Sequence, residues 1–265
     1  MDETRFLFRS LALTFFLGFG FLAFPFSSNA SRADKTLVLS LAADPKSFNE
    51  MVAQETSTTE VTGFLFEGLT RLNTETGEAE ARLAESWETS ADGLVWTFHL
   101  RPGVLWFDGA PFGSRDVVFT FRDLIYNPSV LAAARDIFTL DGKPIRVEAP
   151  DEHTVRFTLP RPFAPFLLAL GQSIFPEHAL KQTVVSGHFS STWGVNADPS
   201  TILGTGPFRL KKYVAGERVE LIRNEQYWQR DEKGSQLPHL DRILMLIVPS
   251  PEGRLLKFLV GETDY

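Results

Sequence analysis

The chain has 265 residues, 43% hydrophobic and 22% charged, which is enough apolar surface for one large or two ordinary folded domains and excludes a disordered or low-complexity chain. Its 26 Lys and Arg against 33 Asp and Glu give a net charge of −7, so a nucleic-acid backbone meets no basic footprint. Cysteine is absent, which excludes disulfides, cysteine nucleophiles, thiolate metal sites and a lipid-modified N-terminal cysteine.

Arg5 and Arg9 precede an apolar stretch from Leu11 to Phe26, and Ser28-Asn29-Ala30 then puts small residues at the −3 and −1 positions of a cleavage site. Ser31-Arg32-Ala33 offers a second site one triplet later. The stretch is shorter than the about 20 apolar residues that span a bilayer and contains Gly and Pro. The layout predicts a secretory signal peptide over residues 1–30, cleaved after Ala30 or Ala33. No second long apolar run follows, so the mature chain is expected to be an exported acidic protein without a transmembrane helix.

Leu37, Leu39 and Leu41 alternate as in a strand, and Ala43-Asp44-Pro45 ends it. Ser57-Thr58-Thr59-Glu60 has capping-box spacing, and Val61, Phe64, Leu65 and Leu69 recur at helical intervals, which predicts a helix from about Thr58 to Gly68 entered from a loop over 46–56. A hairpin follows at 73–78, and after the Ala91-Asp92-Gly93 turn a strand presents Trp96, Phe98 and Leu100 on one face. Asp108-Gly109 marks a turn, and Ser114 is placed to cap a helix with Val118, Phe121, Leu124 and Ile125 as its buried stripe, ended by Asn127-Pro128. Val155, Phe157 and Leu159 form another strand, and the prolines at 160, 162 and 165 keep the next stretch extended.

The Gly, Ser, Thr and Pro over 188–207 suggest a crossing between subdomains. Phe208, Leu210, Val219 and Leu221 flank a hairpin at Ala215-Gly216. The run from Ile243 to Val248 fits a strand covered on both faces, and Ser250-Pro251 then starts a helix whose Leu255, Leu256 and Leu259 are expected to face inward.

The residues give little sign of bond-making chemistry. The five histidines lack metal-ligand spacing, there is no Gly-x-Ser-x-Gly elbow, and Gly204-Thr205-Gly206 lacks the Lys and Ser or Thr of a phosphate loop. A carboxylate pair such as Asp108 and Glu67 is conceivable as acid and base, and the five tryptophans as a sugar platform, although Trp96 fits a core position better.

Several stretches carry more. Leu65-Phe66-Glu67-Gly68-Leu69, Leu83-Ala84-Glu85-Ser86-Trp87, the strand from Trp96 to Arg101, Trp106-Phe107-Asp108-Gly109 and Asp116-Val117-Val118-Phe119-Thr120 follow in order. They precede Gly204-Thr205-Gly206-Pro207-Phe208, Asn224-Glu225-Gln226-Tyr227-Trp228, Leu240-Asp241-Arg242-Ile243 and Gly261-Glu262-Thr263-Asp264. Together they resemble the family 5 extracellular solute-binding proteins, the dipeptide and oligopeptide receptors of ABC importers.

The resemblance implies an α/β, periplasmic binding protein type II-like first lobe, discontinuous in sequence, with a strand-rich inserted subdomain over 65–196, flanked by lobe segments at 31–64 and 197–265. Family members continue past the Gly-Glu-x-Asp segment, so the second lobe is expected to be absent from this chain and its peptide binding weak. The implied role is capture of a peptide or other small solute in the periplasm, as a monomer, for an inner-membrane ABC permease, with no catalytic residue, cofactor or metal. Counting back from the helix places Gln54, Thr56 and Ser57 at the ligand. Gln54 stands where peptide receptors can carry an acidic residue, Glu55 is an alternative partner for a peptide amine, and Ser57 is either a contact or the helix cap. An exported carbohydrate-active enzyme and a truncated relic without ligand binding are the competing readings.

Overall fold

The computed structural model describes residues 35–265, so the expected signal peptide and both of its cleavage sites lie outside the described residues. In chain order, β1 (Thr36–Leu41) leads through a loop to the Thr56–Thr62 helix, and a ribbon of β2 (Thr70–Leu72) and β3 (Ala79–Ala81) follows. Next come β4 (Ala84–Thr89), β5 (Val95–Leu100), the Ser114–Phe119 helix, a small ribbon of β6 (Thr139–Leu140) and β7 (Lys143–Pro144), β8 (Arg146–Asp151) and β9 (Thr154–Thr158). After the Glu177–Val185 helix the chain forms β10 (Phe208–Val214), β11 (Arg218–Arg223), β12 (Arg242–Ile247) and the Pro251–Leu259 helix.

The strands make two four-stranded sheets. In the first, ordered β1-β12-β11-β10, β1 lies parallel to β12 with Thr36 opposite Arg242, and the other pairs are antiparallel. The second, ordered β4-β5-β9-β8, is antiparallel throughout. Its edges β4 and β8 are mostly polar and exposed, so their apolar alternation is weak, and the sequence reading places no strand at either. The inner strands carry an aromatic core, with Phe157 packed edge-on against Phe98, Phe121 and Phe166 at 5.7, 5.1 and 5.5 Å. Trp96 joins this core against Phe166 at 5.6 Å, away from any role as a sugar platform.

Five local expectations are corrected. The helix at 58–68 runs from Thr56 to Thr62, because beyond it the backbone is claimed by tertiary partners: Leu65 O accepts the Gly206 N–H at 2.9 Å and Leu69 N–H donates to Leu170 O at 3.0 Å. Val61, Leu65 and Leu69 are still fully buried. At the next helix the N-cap is Gly113, whose N–H donates to the Asp116 carboxylate at 3.0 Å, while Ser114 Oγ donates to Asp151 O at 2.6 Å. That helix continues as a π-turn over Thr120–Ile125, where Thr120 Oγ1 donates to Asp116 O and accepts the Phe175 N–H, and Val117 rather than Val118 is buried.

In β12, Ile243 and Met245 are buried but the alternate residues only partly so, so one face is less covered than its apolar run suggests. Ser250 caps the last helix as expected, accepting the Gly253 N–H at 3.1 Å. Its leucines do not face inward: Leu255, Leu256 and Leu259 are 58%, 61% and 69% exposed. Arg254 Nη1 donates to Val248 O and Pro249 O at 3.0 and 3.2 Å, and Gly253, Arg254 and Lys257 form the half-buried side of the helix instead.

Candidate functional site

The loop between β1 and the Thr56–Thr62 helix is fastened on three sides. Asp44 accepts the Tyr213 hydroxyl at 2.6 Å and the Gly216 N–H at 2.8 Å, tying the end of β1 to the β10–β11 hairpin. Phe48 N–H donates to Trp193 O at 2.8 Å, and Asn49 Nδ2 donates to Phe189 O at 3.0 Å, which ties the loop's middle to the segment after the Glu177–Val185 helix. The Glu55 carboxylate closes the loop on itself by accepting the Lys46 N–H at 3.0 Å and the Thr58 hydroxyl. Burial pushes the Glu55 carboxyl up, but these hydrogen bonds outweigh it and hold it below its ordinary value. Glu55 is thus an internal fastener through Oε1, which accepts both bonds.

On this frame Gln54 and Thr56 are exposed, whereas Ser57 is buried and donates its hydroxyl to Asp44 O at 3.0 Å. Glu55 holds the N-cap position without a side-chain capping bond, so Ser57 is not the cap. Of the three sequence-predicted site residues, two are presented to solvent and the third braces the loop. The sequence reading treats Asp44 only as the end of a strand. Its Asp-Pro turn is the available signal, because an Asp side chain at a turn readily accepts nearby N–H and O–H donors.

The Tyr213–Asp44 bond is testable by pH. Burial and then the Asp44 carboxylate push the Tyr213 hydroxyl up to about 12. A folded value above the unfolded one, about 10, means the contribution is complete below about pH 10 and is lost as pH rises through about 12. Tyr213→Phe is therefore expected to lower stability by about 1 kcal/mol near neutrality. The gap from the parent should close between about pH 10 and 12, as read from melting temperatures across that range.

A second network joins distant motifs. Glu67, on the run after the helix, ion-pairs with Arg82 Nε, accepts the Tyr227 hydroxyl at 2.9 Å and accepts Trp228 Nε1–H at 3.0 Å. Arg82 Nη1 reaches Gln229 at 2.9 Å. Asp108 lies in a different network, 2.8 Å from His178 Nε2. Each carboxylate of the conceivable acid–base pair is thus engaged with its own partners. Among the described residues no group of three or more His, Cys, Asp and Glu is placed to hold a metal ion, and no helix is long and apolar enough to cross a membrane.

Residues 78–265 match the family described as bacterial extracellular solute-binding proteins, family 5 Middle. The chain belongs to this family. A relative, the probable D,D-dipeptide-binding periplasmic protein DdpA of Escherichia coli (strain K12), is 31% identical over an alignment of 235 residues that covers 86% of this chain and 42% of the relative. Among solved family structures, the periplasmic binding protein DppA from Helicobacter pylori in complex with the peptide STSA superposes with a TM-score of 0.70 at 27% identity, covering 88% of this chain and 47% of that one. The binding protein AgaA in complex with agropinic acid, from A. tumefaciens R10, gives a TM-score of 0.73 at 26% identity and coverages of 86% and 43%. The chain therefore spans less than half the length of these family 5 proteins. Its fold is that of a periplasmic binding protein type II-like first lobe.

Proposed function

We propose that this chain forms the first part of the substrate-binding protein of an ABC importer, capturing peptides or similar small solutes and handing them to an inner-membrane permease. The observation that carries the reading is the loop over 44–58, held rigid by Asp44, Glu55 and the contacts to Trp193 and Phe189 while Gln54 and Thr56 remain free. Preorganisation of this kind lowers the ordering entropy that binding must overcome. The names of the relatives and neighbours add support, since they give D,D-dipeptides, the peptide STSA and agropinic acid as ligands. In this reading Gln54 and Thr56 contact the ligand, Ser57 positions them, and Gln54 recognises by hydrogen bonding rather than charge. The protein makes and breaks no bond in its solute and acts as a monomer in the periplasm after its signal peptide is removed.

The sheet composition fits the proposed division. β1 and β10–β12, from both ends of the chain, build one sheet, and β4, β5, β8 and β9 build the other, within 65–196. The test uses the full-length protein from its native source, with any bound solute released by denaturation and identified by mass spectrometry. A peptide or small polar solute is expected. Replacing both Gln54 and Thr56 with Ala is expected to weaken its binding about tenfold in calorimetry without lowering the melting temperature, since both side chains are exposed. Unchanged affinity removes this loop from the site, and a protein that carries and binds no solute overturns the reading.

A further inference from the structure

Arg101 is out of balance with its surroundings. Its guanidinium lies 4.2 Å from the centre of the Trp228 ring, and its Nε donates to Arg82 O at 3.1 Å. Among the described residues neither Nη group has a hydrogen-bond partner and no carboxylate pairs with the side chain. Neighbouring Arg82 is neutralised by Glu67, but half-buried Arg101 has no counter-ion in a chain whose net charge is −7. A partly desolvated cation favours an anion wherever one can reach it, and the flat guanidinium edge matches two oxygens at once.

An anion can reach it. Arg101 lines a cavity of about 740 Å³ whose wall also includes Trp228, Arg230, Gln226, Gln236 and Glu85, so its lining holds two arginines and one glutamate. The wall is fixed in place: Gln236 Nε2 donates to Glu225 O and Tyr227 O, both at 2.8 Å, Arg230 Nη1 donates to Gly234 O at 2.9 Å, and Trp228 Nε1–H is held by Glu67. The unspent donors are those of Arg101, whose guanidinium carbon lies over the indole.

We propose that this cavity is an oxyanion-binding site separate from the 44–58 loop, in which Arg101, seated over the Trp228 ring, receives a phosphate or carboxylate group and Arg230 adds long-range attraction. The inference is independent of the solute that the loop recognises.

Inorganic phosphate and succinate are titrated separately into the full chain at constant ionic strength, following calorimetry and the Trp228 indole N–H resonance. Saturable binding with a shift of that resonance is expected, and the tighter of the two identifies the anion class. Arg101→Gln should weaken it about tenfold or more, and Arg230→Gln about threefold, because the latter is exposed. Gln54→Ala should leave it unchanged. Absence of saturable binding, or equal binding by Arg101→Gln, overturns the proposal. If Arg101→Gln does not fold, Arg101→Lys retains the charge without the planar edge and carries the same expectation. If neither variant folds, the parent titration decides: a saturable shift of the Trp228 resonance supports the site and no shift overturns it.

Discussion

Glu67→Ala is expected to destabilise the chain by about 3–5 kcal/mol, a large share of the about 5–15 kcal/mol available to a folded domain. The Glu67 side chain is 2% exposed and its Arg82 partner 12%, so truncation strands a cation where water reaches it poorly. It also removes one acceptor of the Tyr227 hydroxyl, which retains Gln229 Oε1 at 3.2 Å, and the acceptor of the Trp228 indole N–H, losses counted within that range. Tyr227→Phe removes one donor and leaves the ion pair, so its cost should be about 1 kcal/mol. Replacing Glu67 and Arg82 together with Met should recover part of the single-mutant loss, because the uncompensated charge goes with its partner. Urea unfolding of the parent, the two single variants and the double variant reads all four values. A Glu67→Ala loss within 1 kcal/mol of the parent would show that the network does not hold the motifs together.

That network shows what was legible in the sequence and what was not. The Leu-Phe-Glu-Gly-Leu and Glu-Gln-Tyr-Trp runs are readable as family marks, but the hydrogen bonds that bring Glu67 to Tyr227 and Trp228 span about 160 residues, and periodicity is blind to such separations. The same limit explains the 58–68 helix: the spacing of Val61, Leu65 and Leu69 reports burial correctly, while Gly206 and Leu170 decide the backbone. Strands with strong apolar alternation, β1, β5 and β9, stand where the pattern puts them. The polar edges β4 and β8 carry no pattern because they are covered on one side at most. Leu255, Leu256 and Leu259 show the reverse error, since an apolar stripe marks a face without saying what covers it. At the 44–58 loop the count from the helix names Gln54 and Thr56, which are exposed, but the bracing by Asp44 depends on Tyr213 and Gly216, far along the chain.

Gly204→Ala should be the most damaging single methyl added to this chain. A Cβ at Gly204 would stand 1.9 Å from Leu65 O and 3.1 Å from Phe107 Cε2. Neither neighbour can yield freely, because Leu65 O already accepts the Gly206 N–H and Gly204 O accepts the Phe107 N–H at 3.0 Å. Gly206 is nearly as crowded, 2.5 Å from Phe64 O, and its own carbonyl accepts Asn224 Nδ2–H at 3.0 Å. The Gly-Thr-Gly run that superficially suggests a phosphate loop is thus a seam where two backbones touch, fixing the entry to β10 against Phe64, Leu65 and Phe107. Opening that seam separates several hydrogen bonds at once, so a loss of about 4 kcal/mol or more is expected. Gly216→Ala is the control, since it adds the same methyl at φ +69° with nothing within 4 Å. It should incur only the left-handed backbone penalty of about 1–2 kcal/mol. Soluble yield and urea midpoints of the two variants side by side make the comparison. Equal midpoints would mean that backbone conformation alone governs both glycines and that the seam does not bind the two parts of the fold.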